Sequence, residues 1–555
     1  MEGQNNKILR IGLLMDALEI PAWAYLMLDR IKHSDYAAIR LIVLNESQET
    51  KRNIFSRILD NRNFLLHVAY SRFENRLFKP TPDAFETKCA IELLANIPII
   101  KVRTKQTKHT DSIIDQDIEE IKKYEIDVFI RLGFRILKGK ILESSRFGVW
   151  SYCHSHNPLN RGGPAGLWEV LENQPTTESV LQILTTDLDN GLILYRSYSA
   201  TDHLLVNRSR NNNYWKTLSF IPRKLKELHQ QGEELFFNKI RAENKRLLSY
   251  SQRLYSKPRN IELLWLLLKH WIRYAKLKIN DSIFFEQWIL MYDLRDELSI
   301  SFWRFKKIVP PKDRFWADPH IIYKDDLYYI FIEEYLYSRG KGHISLLVMD
   351  EKGSYGNSIK ILERPYHLSY PFVFKWKGDY YMIPESASNH TIELYKCVEF
   401  PNKWEFHKNL MEEVAAFDTT LFHYRTRWWL FTNLKENDGA SDWDELFLFF
   451  SDDPLSNNWI PHSQNPIVSD VRKARPAGRI FEHNSDIYRP SQNSSKGYGY
   501  GIKINQVIKL SETEYEEREI DSIEPNWDTD ITGIHTLAHE QRLNMIDGKL
   551  KRYKF

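Results

Sequence analysis

The sequence predicts two folded regions of different class. An α/β domain with a mostly parallel sheet covers residues 1–205 and an all-β five-bladed propeller covers residues 296–555, with a basic helical connector over 206–295. Two patterns carry this prediction. The first ~200 residues alternate apolar strand runs with helical stretches. After Trp303 an aromatic hairpin recurs at a period of ~50–60 residues, the size of a four-stranded propeller blade. At 555 residues the chain also exceeds what one core organises.

In the first region "ILRIGLLMD" reads as a buried parallel strand, followed by a helix over roughly Pro21–Lys32. "AIRLIVLNES", "EIDVFIRLGF" and "FGVWSYCH" supply further strands, with "DSIIDQDIEEIKKY" read as helix before the third. Sites in such open sheets lie beyond the carboxyl ends of the strands. Cys153 and His154 stand at such an end, just before the turn Arg161-Gly162-Gly163-Pro164. Cys153, His154 and His156 are of metal-ligating type, yet no second cluster with ligand spacing accompanies them, so no metal is predicted.

Between the two regions Lys and Arg outnumber Asp and Glu. "IELLWLLLKHWIRYAKLKI" (Ile261–Ile279) reads there as a helix with a wide apolar face and a basic end. Burial between domains is the expected use of that face. Trp265, Trp271, Arg273, Lys276 and Lys278 are also the residue types of a membrane-surface helix, which leaves peripheral membrane contact as the other reading.

In the last region the hairpins are "PHIIYKDDLYYIFIEE", "PFVFKWKGDYYMIPES", "TLFHYRTRWWLFTN", "RIFEHNSDIYRPSQ" and "TLAHEQRLNMID". The residues where their first strands begin are Asp318, Tyr370, Asp418, Arg475 and His535. Glu333, Glu334, Glu385 and Arg489 lie at or near the ends of the second strands, and Glu334 is taken as the first-hairpin candidate. Such residues converge on a propeller axis. Paired carboxyls, one holding a proton and one a charge, are what glycoside chemistry requires. The plainer reading is that Asp-Pro is a turn and that the carboxylates bind backbone.

Composition narrows the class. The 42% hydrophobic and 27% charged fractions are those of a soluble globular protein, and a net charge of +3 gives no general signature of nucleic-acid binding. Cys89, Cys153 and Cys397 are widely spaced and odd in number, which argues against a disulfide framework. No cleavage-site pattern follows "MEGQNNKILRIGLLMD" and no stretch has the length of a transmembrane helix. The expectation is a cytoplasmic protein, peripheral to a membrane if the basic helix contacts lipid.

"FGVWSYCHSHNPLNRGGPAGLWEVLENQ" and "ILTTDLDNGLIL" resemble the formyltransferase fold of methionyl-tRNA formyltransferase and the sugar N-formyltransferases. The resemblance implies a catalytic Asn-x-His and a later Asp, with formyl-tetrahydrofolate as cofactor. Counting back from Pro158, Ser151 stands at the Asn position and Cys153 at the His position, while Asp189 matches the Asp. His154, the neighbour of Cys153, is then the retained base. Ser151 is its helper in stabilising the oxyanion, and Cys153, His156, Asn157 and Arg161 contact substrate.

"RFWADPHIIYKDDLYYIFIEEY" and "YPFVFKWKGDYYMIPES" resemble the N-terminal domain of the glucosamine inositolphosphorylceramide transferases, itself similar to the five-bladed propellers of arabinanase and xylosidase type. Asp318 matches the general base of those glycosidases. Asp418 stands where their third blade has Glu, and Tyr370-Pro371 where the second has Asp.

Together these resemblances imply a transferase of surface-polysaccharide or glycoconjugate synthesis acting on a sugar or nucleotide-sugar. In that reading His154, Ser151 and Asp189 formylate an amino sugar, while Asp318, Glu385 and Asp418 process the glycan. Glu334, Arg475, Arg489 and His535 would bind it. Chemistry confined to the propeller, as glycosyl transfer or hydrolysis, and a non-catalytic glycan-binding module are the alternatives.

Overall fold

The computed structural model describes residues 7–47, 62–107, 110–154, 161–186, 191–245, 254–298 and 301–554. The chain forms two compact units, Met1–Ser197 with Thr201–Trp271 and Asn437–Ala440, and Tyr198–Ala200 with Ile272–Glu436 and Ser441–Phe555.

The first unit is built on a seven-stranded sheet of β1 (Leu9–Met15), β2 (Ala37–Asn45), β3 (Ile99–Val102), β4 (Val128–Arg131), β5 (Val149–Cys153), β6 (Thr176–Ile183) and β7 (Leu192–Ala200), in the order β7-β6-β5-β4-β1-β2-β3. β1 pairs in parallel with β2 and β4, β5 joins β4 in parallel, and β6 returns antiparallel to β5. Side chains of β1 alternate between two cores. Ile11, Leu13 and Met15 face helix α1 (Ala22–Lys32), while Leu14 faces helix α2 (Asp115–Lys122). Gly12 lies on the α2 side, where a Cβ would sit 2.2 Å from the Phe129 ring.

Two expectations change here. The helix expected across "DSIIDQDIEEIKKY" begins only at Asp115. Thr110–Ile113 is a strand with Asp111 and Ile113 turned inward, the two-residue period that a strand requires. The connector expected over 206–295 is divided. Helices α3 (Val206–Thr217) and α4 (Phe220–Glu243) place Trp215, Phe220, Ile221, Leu225 and Phe236 in the same core as β1, so they form a layer of the first unit. Helix α5 spans Asn260–Ile283, and Phe284–Leu294 is a strand, β8. In β8 Leu290 and Tyr292 face one core and Ile289 and Met291 another.

The second unit holds five antiparallel sheets. Four begin with the hairpins β9/β10 (Arg314–Lys324, Leu327–Leu336), β11/β12 (Ser369–Trp376, Asp379–Glu385), β13/β14 (Ala416–Tyr424, Arg427–Leu434) and β15/β16 (Phe481–His483, Asp486–Asn493). The fifth joins the hairpin β17/β18 (Leu537–Glu540, Leu543–Tyr553) to β8, with β18 and β8 paired from Leu543–Leu294 to Tyr553–Phe284. Five apolar clusters link these sheets in sequence. Phe331 meets Val373 between the first and second, Ile383 meets Leu430 between the second and third, and Phe431 meets Tyr515 between the third and fourth. Ile504 and Ile546 share a cluster between the fourth and fifth, and Leu290 and Ile330 share one between the fifth and first.

Ile546 of β18 is fully buried beside Met291 and Leu537. Ile546→Ala is expected to cost about 2–5 kcal/mol, read as a lower urea midpoint with an unchanged slope. An unchanged midpoint would mean that β18 does not close the fifth sheet as described.

Candidate active site

Three first strands of the second unit are interrupted at the same place. β9 breaks register with β10 between Ala317 and His320, β11 with β12 between Ser369 and Phe372, and β13 with β14 between Phe417 and Thr420. At each break one residue that is not glycine adopts positive φ, Asp318 (53°), Tyr370 (40°) and Asp418 (51°). Such a conformation costs on the order of 1–3 kcal/mol and persists only where its surroundings hold it. Pro319 and Pro371 follow two of these residues and have no amide to give a ladder. A bulge re-aims the side chain it carries.

The carboxylates of neighbouring sheets hold these bulges. The Asp318 amide donates to Asp547 Oδ2 (2.9 Å), the Tyr370 amide to Asp318 Oδ2 (3.2 Å) and the Asp418 amide to Glu385 Oε2 (3.4 Å). Asp547 Oδ1 accepts the amides of His535 and Thr536, and Thr536 Oγ1 donates to Asp318 Oδ1 (2.8 Å). From the fourth sheet Gln492 Nε2 donates to Asp418 Oδ2 (2.9 Å). Arg475 reaches Asp418 through Nε (2.5 Å) and Glu385 through Nη2 (3.2 Å). His535 makes ion-pair contacts with Asp547 (2.6 Å) and Asp318 (3.4 Å) and stacks on Trp288 (4.1 Å).

The expected Asp318, Asp418, Glu385, Arg475 and His535 therefore come together, all buried or nearly so. Glu334 does not join them. It accepts bonds from Ser345 (2.7 Å), Arg314 (2.9 Å) and Trp316 (3.1 Å), with His343 at 3.2 Å. Burial alone would raise its carboxyl, but these bonds hold it well below the ordinary range. Adjacent strand residues face opposite sides, so Glu333 takes the place expected of Glu334. Arg489 is likewise displaced. It is bound by Glu517 (2.8 Å) and the Lys473 carbonyl within the fourth sheet, and Gln492 reaches the site instead.

Glu333 is the group with the fewest ties. Among the described residues its carboxyl has one ion-pair contact, His367 Nε2 at 3.5 Å. Burial, reinforced by Asp318, Glu385, Asp418 and Asp547, raises its carboxyl well above the ordinary value. Burial and then Asp418 raise Glu385 in the same way, against the pull of Arg475. Burial pushes Asp318 up to about 6 although His535 favours its charged form. Glu333, named in the sequence but passed over for Glu334, and Gln492 and Asp547, which the sequence reading missed, share a signal. Each lies on the second strand of its hairpin, as Glu385 and Asn433 do, and Glu333, Glu385 and Asn433 pair across to the residue just before each bulge. Asp318, His535 and Asp547 each offer an atom within 4.8 Å of the others and could hold a cation. Any cation would compete with the amides and hydroxyl already bound to both carboxylates.

In the first unit the expected residues are dispersed. Ser151 is buried with Oγ accepting from Arg131 (3.0 Å), and Cys153, two residues on in the same strand, shares that face. His154 belongs to the other face, stacked on Tyr214 (3.7 Å) and beside Tyr152 and Trp23. Burial, with the nearby Arg210 charge, pushes its imidazole down to about 3. Ser151 therefore cannot assist His154 as expected. His156, Asn157 and Asp189 lie outside the described residues, and of Arg161 only the backbone is described, as a two-residue strand with Gly162. A cavity of about 380 Å³, lined by Lys79, Asp83, Phe85 and Arg210, adjoins Tyr214 through Phe85 (ring centroids 4.6 Å).

Residues 307–530 match the model of the family described as glucosamine inositolphosphorylceramide transferase 1, N-terminal. A relative of that name from Oryza sativa subsp. japonica is 34% identical over 206 residues, which is 37% of this chain and 27% of the relative. The chain thus spans about a quarter of that relative's length. Among solved structures it is similar to a family 117 glycoside hydrolase of Zobellia galactanivorans (10% identity, 48% of this chain, 90% of the other, TM-score 0.33). It is also similar to glycinamide ribonucleotide transformylase 1 of Symbiobacterium toebii (12% identity, 42% and 92%, TM-score 0.27). At scores below 0.5 these two likenesses stand as observations only.

Glu333, Glu385 and Asp318 bind their protons more tightly folded than unfolded. So does His535, where Asp547 and Asp318 outweigh the effect of burial. Stability from such groups is complete below their unfolded values and is lost as pH rises through the folded ones. Over about pH 5 to 8 these four groups make the second unit less stable as pH rises, whereas His320, His367, His407, His462 and His539, whose imidazoles burial lowers, act in the opposite sense. Asp318→Asn is expected to remove its share of the loss, so that the variant's melting temperature falls less, or rises more, from about pH 5 to about pH 8 than that of the wild type. An unchanged pH dependence in the variant would contradict the assignment.

Proposed function

We propose that the five sheets are blades of one propeller and that this chain is a carbohydrate-modifying transferase of glycoconjugate or surface-polysaccharide synthesis, with its reacting groups around Asp318. The observation that carries this reading is a set of carboxyls whose environments push them apart. Glu333 stays protonated with an uncommitted carboxyl, whereas Asp318, at about 6, is charged at neutral pH. Glu333 then gives its proton to the oxygen leaving the sugar donor. Asp318, steadied by Thr536 and His535, takes the proton of the attacking hydroxyl or amine. Arg475 keeps Asp418 and Glu385 in place beside the sugar. An amino sugar is the group we take to be moved, following the name of the matched relatives, whose length this chain covers only in part.

The test is a panel of nucleotide-linked amino sugars and glycan or glycolipid acceptors, read by mass spectrometry. Glu333→Gln is expected to lower transfer by roughly 10²–10⁴-fold with acceptor binding retained. Wild-type turnover in Glu333→Gln would overturn the reading. Free sugar released without acceptor would mark a hydrolase, and binding without turnover a glycan-binding module.

A second reading, formyl transfer in the first unit, draws on one observation. His154 stands just beyond the carboxyl end of β5 with its buried Nδ1 unbonded among the described residues. Formyl-tetrahydrofolate would supply the one-carbon group there. Kept neutral by burial, His154 would offer its Nδ1 as a hydrogen-bond acceptor to the attacking amine, and Lys79 and Arg210 suit an anionic portion of the substrate. Calorimetry of the full chain with a formyl-tetrahydrofolate analogue is expected to show saturable binding weakened in His154→Ala. Absence of binding removes this reading and leaves the first one untouched.

A further inference from the structure

Helix α5 buries only Leu263, Leu267 and His270, which at i, i+4 and i+7 form one narrow face. Leu263 and Leu267 pack there with Leu167, Val170, Leu171 and Val206. The opposite side is apolar and, among the described residues, uncovered. Ile261 is 85% exposed, Trp265 58% and Trp271 64%, and Leu264, Leu268, Ile272, Ile279 and Ile283 are exposed with them. At 3.6 residues per turn these positions form one stripe roughly 120° wide, facing away from His270. This departs from the burial that the sequence led us to expect for the helix.

Charge borders the stripe. Lys269 and Lys276 follow one edge and Lys278 the other, with Arg273 beyond the first. The Lys269 amine lies over the Trp265 ring (5.0 Å) and the Lys278 amine over Tyr274 (5.7 Å). Four cations stand against the two carboxylates of the helix, Glu262 and Asp281. No described helix is long and apolar enough to cross a membrane. An apolar stripe edged by lysines and carrying tryptophans is the composition of a helix that lies in the plane of a bilayer surface, its apolar side ~5–10 Å deep and its lysines among the phosphates.

We propose that α5 docks this protein on the surface of an anionic lipid bilayer, inserting Ile261, Trp265, Leu268, Trp271, Ile272 and Ile279. Burying the stripe against a second copy would bring like-charged lysine edges together, whereas anionic headgroups neutralise them. The inference is independent of the chemistry assigned to either unit.

The full chain should be sedimented with vesicles of phosphatidylcholine, with and without about one-third phosphatidylglycerol. Cosedimentation with the anionic vesicles, weakened by salt, is expected. The double variant Trp265→Glu/Trp271→Glu should lower it by about tenfold or more, with circular dichroism and melting unchanged because both side chains are exposed. The triple variant Lys269→Glu/Lys276→Glu/Lys278→Glu should remove the preference for anionic vesicles. No cosedimentation, or binding unaltered by both variants, would overturn the proposal. So would a dimer in analytical ultracentrifugation that the tryptophan variant dissociates while vesicles are ignored, which would assign the stripe to a second copy.

Discussion

The amide of Asp318 donates to Asp547, that of Tyr370 to Asp318 and that of Asp418 to Glu385, each bond running from one sheet to its neighbour. Every other arrangement in the second unit depends on this chain of bonds. Without its acceptor each buried amide would be left unpaired at a cost of about 1–3 kcal/mol, and the positive φ beside it would lose its support. An apolar residue cannot serve, because the acceptor must lie deep between sheets and point at backbone. Carboxylates placed so close together raise one another's affinity for protons, and Arg475 and His535 keep the cluster from repelling itself apart. Asp318 and Glu385, which hold neighbouring sheets, are thus also carboxyls raised above their ordinary values, and Glu333, which holds no backbone amide among those described, is the one left uncommitted.

The hairpins and the strands β1, β2, β4 and β5 were legible because apolar periodicity is a local property. "PFVFKWKGDYYMIPES" announces both strands and the turn between them without reference to the rest of the chain. The site was legible only in part. Asp318, Asp418, Arg475 and His535 announce themselves by position, but choosing Glu334 over Glu333 required the phase of the strand, and the bulge at Asp318 resets that phase. Arg489 was misplaced for the same reason, since a buried Arg satisfied by Glu517 looks the same in sequence as one aimed at a ligand. The repeated polar residue within each second strand, from Glu333 to Asp547, was visible but has no local signature. Its significance appears only when five hairpins are set side by side.

The first unit shows the limit from the other direction. Ser151, Cys153 and His154 are consecutive or nearly so, and proximity in sequence suggested one site. A strand separates what a sequence joins, with Ser151 beside Arg131 on one face and His154 among Tyr152, Tyr214 and Trp23 on the other. The helix α5 was misjudged because amphipathicity fixes which side of a helix is apolar but not what covers it. Three buried residues, Leu263, Leu267 and His270, sufficed to anchor it, and the wider stripe was left over.

The pairing of β8 with β18 has a consequence for the order in which this protein is made. β8 is translated about 250 residues before its partner, so at ~5–20 residues per second it waits on the order of 10–50 s on the ribosome. During that time Leu290 and Tyr292 face a core that cannot close, because Leu543 and Met545 do not yet exist. The first four sheets can assemble in turn as they emerge, but the Asp318 amide must wait for its acceptor, Asp547. Nascent chains stalled just short of β18 therefore carry an unpaired strand edge eleven residues long, the kind of surface that chaperones hold and that pairs wrongly when they do not.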